Sequence, residues 1–164
     1  GLTCIDTPGH SVHHVSFHID GILFAGEAAG VHYGPPRYPD YMRPATPPRF
    51  FLETTLDSLE RLGKHPAEII CYGHYGASRE VADLLSAYQL QLLFWAGHIE
   101  EECRRHGFSP DSHEAVAHCT ESLLAADPLL DGFSSLPPDI RQRERYFMGN
   151  CLRGFGGYLA DSPG

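Results

Sequence analysis

Apolar and polar residues alternate with period two in "HHVSFHI", where Val15, Phe17 and Ile19 interleave with His14, Ser16 and His18. That period predicts a β-strand with one apolar face. Asp20-Gly21 then gives a two-residue link to "ILFAG", a dipeptide suited to the turn whose twist matches a hairpin. Ahead of it, "LTCI" at residues 2 to 5 reads as a short strand closed by the turn-forming "DTPG". Farther on, Phe51, Leu52, Leu56, Leu59 and Leu62 recur at helical spacing, with Gly63 placed as a left-handed C-cap. "EIICYG" follows as a buried strand, and the order strand, helix, strand predicts a right-handed parallel crossover.

Past Gly76 the pattern turns helical and stays so. Ser78 is the expected N-cap of a helix whose stripe runs through Val81, Leu85, Tyr88, Leu92, Trp95, Ile99 and Cys103 to a stop at Gly107. A second helix is expected from Ser109-Pro110 to Asp127-Pro128. A third should run from Pro138 to about Leu152 and fray through Gly154, Gly156 and Gly157. Between the hairpin and the first helix, "HYGPPRYPDYMRPATPP" is rich in proline, which removes backbone donors and blocks helix and central strand alike, so a long loop is expected. There is no internal repeat.

The 164 residues, 42% of them hydrophobic, suffice for one sizeable core. A formal charge of -9 argues against a nucleic-acid partner, which needs a concentrated basic surface. Arg141, Arg143 and Arg145, interrupted by Gln142 and Glu144, read as a solvated helix face. The longest apolar run, "LLFWAG", is too short to span a bilayer, so no membrane association is expected. Five cysteines without a Cys-x-x-Cys pair suit reduced, packing thiols in a cytoplasm. The chain opens on a strand at Gly1 without an initiator Met, which suggests a fragment trimmed from a longer parent.

Candidate chemistry lies at the strand ends. His10, Glu27 and His74 each follow a predicted strand, and neighbouring strand ends gather along one edge of a sheet. Imidazole and carboxylate together suit zinc, iron or manganese, so the three are candidate ligands of one metal site. On spacing alone the competing assignment is hydrogen-bonded histidines that hold loops.

The strings around these residues add more. "TPGHSVHHVSF", "DGILFAGEAAG" and, after a loop and a helix, "CYGHYG" resemble the C-terminal half of the metallo-β-lactamase fold superfamily. Its members carry a "TPGHTxGH" loop, an acidic residue in "LFxGD" and a histidine in "xxGHG". The resemblance implies His10 as ligand of a first metal, Glu27 as bridge, His74 as ligand of a second, and His14 as a residue that orients the ligands by hydrogen bonding. It also implies an α/β fold: residues 1–77 as the C-terminal half of an αββα sandwich, with a few strands and a crossover helix, and residues 78–164 as a helical extension packed on it. Two departures stand out. The superfamily's His-x-His-x-Asp-His string is absent from this sequence, and Glu27 stands in place of Asp, its extra methylene moving the carboxylate outward by roughly 1.5 Å.

Other groups read more modestly. His13 and His18 have no assigned role. "HEAVAH" places His113 and His118 five apart, where a shared helix face needs four. "HIEEECRRH", with His98 and Glu102 four apart, reads as a charged outer helix face. In the proline-rich loop, Tyr38 and Arg43 are candidate substrate contacts, because rings and guanidinium groups hold anionic or planar ligands; covering a sheet edge or meeting a second subunit is the competing role.

Together these point to a parent metal-dependent hydrolase carrying two zinc ions, with iron or manganese as alternatives. Its small-molecule substrate would be an ester, thioester, lactone, phosphodiester or amide. Two alternatives differ in class: a di-iron oxidoreductase of the same fold, or a non-catalytic interaction fragment. In the last case a sheet face left bare would be covered by the missing N-terminal half or by a second copy in a homodimer, and the stripe from Val81 to Cys103 with Trp95 is the candidate dimer surface, with core packing as the competing role.

Overall fold

Asp20 and Gly21 both take positive φ, 48° and 80°, as the turn that matches strand twist requires. They join β2 (Val15–Ile19) to β3 (Ile22–Gly26) in the antiparallel register Phe17 to Phe24 and Ile19 to Ile22. The computed structural model describes residues 1–74 and 76–161; Tyr75 and the last three residues of the expected helical extension lie outside the described residues. β1 (Leu2–Asp6) pairs antiparallel with β2, and β6 (Ile69–Tyr72) pairs parallel with β3, the crossover expected from the sequence. With a short β7 (Ala77–Ser78) the sheet order is β1-β2-β3-β6-β7. The crossover carries α1 (Leu52–Gly63).

The alternation in β2 is real but its sense is reversed. Ser16 is fully buried, whereas Val15 and Phe17 are about 40% exposed. The buried face of the sheet holds Ile5, Leu23 and Ile70. Cross-strand rows Leu2, Ile19, Ile22, Ile69 and Cys4, Phe17, Phe24, Cys71 form the other face, on which Leu2 and Phe24 are exposed. Ser16 tolerates burial because its hydroxyl accepts from Thr7 Oγ1 (2.9 Å) and donates to the Ala25 carbonyl (3.1 Å).

The proline-rich segment is not a loop throughout. It holds a two-stranded sheet, β4 (Val31–Tyr33) and β5 (Tyr41–Arg43), buried along its length. Pro35, Pro36 and Pro39 all fall in the connection, so none removes a ladder hydrogen bond.

Three helices and a 3-10 turn complete the fold. α2 (Val81–His106) ends on Gly107 at φ 69° as expected, but Ser78 lies in β7 and Glu80 occupies the N-cap. Likewise Gly63 is the last residue of α1, and its C-cap, Lys64, is right-handed. α3 (His113–Ala126) is capped by Ser112, whose hydroxyl accepts from Ala115 N, and leads into the 3-10 turn Pro128–Ser135. α4 (Pro138–Asp161) runs straight through the glycines expected to fray it. These glycines are contact points: a Cβ on Gly154 would lie 2.3 Å from the Pro47 carbonyl oxygen, and one on Gly156 2.2 Å from that of Pro110.

The stripe of α2 is core, not an exposed dimer surface. Trp95, Leu92 and Ile99 are buried, and Trp95 Nε1 donates to Asp127 Oδ2 at 2.7 Å. Buried Met148, Leu152 and Phe155 bring α4 into the same core. Among the described residues no helix is long and apolar enough to cross a membrane.

Candidate metal centre

β1, β3 and β6 run in the same direction, so their C-terminal ends share one edge of the sheet. His10 lies on the loop after β1, Glu27 one residue past β3 and His74 two residues past β6. The three side chains meet there. His10 Nε2 is 2.9 Å from Glu27 Oε2, and His74 Nε2 is 2.9 Å from Glu27 Oε1. Each imidazole thus takes its own oxygen of one carboxylate, a bridging arrangement. The hydrogen bond to His10 holds the Glu27 carboxyl down at about 2 against the opposing effect of burial. The same bond raises His10 above the ordinary histidine value.

Two further contacts set the donor atoms. His10 Nδ1 donates to the Ala45 carbonyl at 3.0 Å, which leaves Nε2 as the nitrogen facing Glu27. Metal-binding histidines are commonly oriented in this way. His14 lies behind the carboxylate. Because Ser16 donates to Ala25, Thr7 Oγ1 donates to Ser16 and His14 Nδ1 donates to Thr7 Oγ1 at 2.9 Å. His14 Nε2 is left to accept the Glu27 backbone N–H at 3.3 Å. Burial lowers the pKa of His14, in keeping with this neutral tautomer. Gly26, at φ 61°, permits the approach, since a Cβ there would stand 2.7 Å from His14 Nε2. His18, by contrast, faces the Pro66 carbonyl at 3.0 Å, away from this cluster.

One carboxylate between two imidazoles, with the second nitrogen of His10 fixed by a carbonyl, is a donor set suited to a cation of the zinc, iron or manganese class.

The cluster opens into a cavity of about 390 Å³ whose opposite wall is α4, through Arg143, Phe147 and Asn150. Arg43 lies in the same wall but is buried and paired through Nε with Glu144 Oε2. Tyr33 Oη donates to Glu144 Oε1 at 2.8 Å and accepts from Arg143 Nη2 at 3.1 Å. Burial, then the Glu144 carboxylate, push the Tyr33 hydroxyl up to about 12, so it stays a neutral donor. Tyr38 packs edge-on against Tyr33 at 5.3 Å between centroids and does not line the cavity.

The "RQRER" run is therefore more than a solvated face: Glu144 is 1% exposed, Arg143 reaches Tyr33, and Arg145 pairs with Glu121. Nor is Glu102 on an outer face; it is 6% exposed and faces His118, while His98 bonds Ser122 Oγ at 2.6 Å. Sequence reasoning missed the α4 wall, whose only local mark is a polar stripe of helix.

A family model of the metallo-beta-lactamase superfamily matches residues 2–74. The chain is 27% identical over 110 residues to the metallo-beta-lactamase fold-containing protein ST1585 of Sulfurisphaera tokodaii, covering 63% of this chain and 40% of that protein. The crystal structure of ST1585 superposes on 56% of this chain and 33% of its own with a TM-score of 0.49. The metallo-beta-lactamase family protein TTHA1429 from Thermus thermophilus, 18% identical, matches 96% of this chain and 44% of its own with a TM-score of 0.53. This chain thus spans less than half the length of each of these relatives. The matched stretch contains the whole strand-end cluster, and over residues 2–74 this chain is similar to the metallo-beta-lactamase superfamily.

Proposed function

We propose that this chain is part of a metal-dependent hydrolase in which His10, Glu27 and His74 are metal ligands, with Glu27 the bridge between two zinc ions. The observation that carries the reading is one carboxylate offering a separate oxygen to each of two imidazoles at 2.9 Å. Zinc ions bound there would supply Lewis acidity, lowering the pKa of water and polarising a carbonyl or phosphoryl oxygen. The chain's own residues do the rest. Ala45 holds His10 in the tautomer that presents Nε2, and His14 fixes the backbone from which Glu27 projects. Across the cavity, Arg143 offers a cationic group and Phe147 an apolar surface to an ester, thioester, lactone, phosphodiester or amide substrate. The domain reading goes with it: residues 1–77 as half of the sandwich and 78–164 as the helical part that closes the cavity. The free thiols suit a reducing cytoplasm.

The test is metal content. His74→Ala in the full-length parent should lose zinc and activity together, and unchanged zinc by elemental analysis would sink the assignment.

One observation favours a second reading, assembly without catalysis: the exposed apolar face with Leu2, Val15, Phe17 and Phe24. A preceding half of the sandwich or a second copy of this chain would cover it. Sedimentation of the isolated chain separates the two, since a monomer with no concentration dependence argues against self-association.

A further inference from the structure

A second group of metal-binding side chains lies in the helical part, away from the strand ends. Glu102 and His106 sit one turn apart on the last turns of α2, so both point to the same side of the helix. α3 packs there and contributes His118. His118 Nε2 is 2.6 Å from Glu102 Oε2, and His106 Nε2 is 3.7 Å from that same oxygen. One donor atom from each of the three residues lies within 4.8 Å of the other two.

We propose that Glu102, His106 and His118 form a site for a divalent cation of the zinc class, tying the end of α2 to α3. Donors around tetrahedral zinc at about 2.0–2.1 Å stand about 3.3–3.4 Å apart. The observed 2.6 and 3.7 Å from Glu102 to the two imidazoles bracket that spacing, and the third pair lies within 4.8 Å. Two imidazoles select zinc, copper, nickel or cobalt over magnesium and calcium, which take oxygen ligands.

The surroundings hold this arrangement in place. Arg105 Nη1 takes Glu102 Oε1 at 2.6 Å, leaving Oε2 as the oxygen both histidines face. Phe108 stacks on His106 at 5.6 Å and meets His118 edge-on at 5.7 Å, restricting both rings. α2 ends at His106, where helix carbonyls favour a cation. Glu102 is 6% exposed, while the side chains of His106 and His118 are 41% and 34% exposed, which leaves the fourth coordination position to solvent.

The experiment uses zinc alone as probe, on the chain freed of metal by chelation. A His10→Ala/His74→Ala background removes the strand-end imidazoles, so the outcome is independent of the function proposed above. In that background one equivalent of zinc should bind and raise the unfolding temperature. Adding His106→Ala and His118→Ala should abolish both effects. No binding in the first variant, or equal binding in the second, overturns the proposal. Imidazole NMR signals of the unmutated chain give a readout that does not depend on variants folding: those of His106 and His118 must shift with zinc, and their remaining fixed at saturation refutes the site.

Discussion

Removing the Glu144 charge should destabilise this protein more than any other single isosteric change to a polar group in the cavity wall. Arg43 and Glu144 are 5% and 1% exposed and join β5 to α4 across 101 residues of sequence. Glu144 also accepts from Tyr33, so its two oxygens serve two buried donors. In Glu144→Gln the amide NH₂ replaces one acceptor, and the Arg43 guanidinium keeps its charge without a counter-charge. Breaking a buried pair from one side costs about 3–5 kcal/mol, because the remaining charge stays desolvated. For a chain of this size that corresponds to a fall in unfolding temperature of about 6–20 °C.

Urea unfolding followed by circular dichroism and by fluorescence of Trp95, the single tryptophan and fully buried, measures the loss globally and in the core. The companion variant Arg43→Met/Glu144→Leu removes both charges and should recover most of the loss, since an apolar pair of similar volume needs no counter-ion. A loss below about 1 kcal/mol in Glu144→Gln, or a double variant less stable than the single, would refute the reasoning, given the expected range for a buried pair broken from one side.

The remaining predictions concern packing and thiols. Gly154→Ala should cost about 1–3 kcal/mol, because its Cβ would stand 2.3 Å from the Pro47 carbonyl. Gly149→Ala in the same helix, whose Cβ would approach nothing closer than 3.8 Å, should instead gain about 0.5–1 kcal/mol from helix propensity; thermal denaturation of the pair gives opposite signs or defeats the argument. Iodoacetamide at pH 8 should label exposed Cys4 well before buried Cys103, Cys119 and Cys151, as read by mass spectrometry. Burial, then neighbouring Cys103, push the Cys119 thiol from 9 up to about 12. Its contribution to stability is therefore fully present below pH 9 and lost as pH rises towards 12, which unfolding at pH 8 and pH 10.5 compares.

How far the sequence can be read follows from which signals are local. The Asp20-Gly21 turn, the β3–α1–β6 crossover and the Gly107 stop all depend on residues a few positions apart, and all three are present. The sense of β2 is not local, because alternation says that two faces differ and not which one the helices cover. Here β1, β3 and β6 carry apolar residues on both faces, so Ser16 goes inward with Leu23 and Ile70 while Phe17 points out. Strands β4 and β5 are hidden by prolines that flank them without entering them. The glycines of α4 mimic a fraying end because their use, contact with Pro47 and Pro110, involves residues far away in the chain.

The candidate site divides along the same line. His10, Glu27 and His74 can be grouped from sequence because each follows a strand, and parallel directions bring such ends together. Arg143, Phe147 and Asn150 cannot, since their position across from that cluster depends on α4 packing on α2 and α3 and on its ion pair with Arg43 of β5. The buried ion pair adds to that seating by tying the helix that carries Arg143 to β5. A change there would alter the shape available to a substrate without touching any of the three residues at the strand ends.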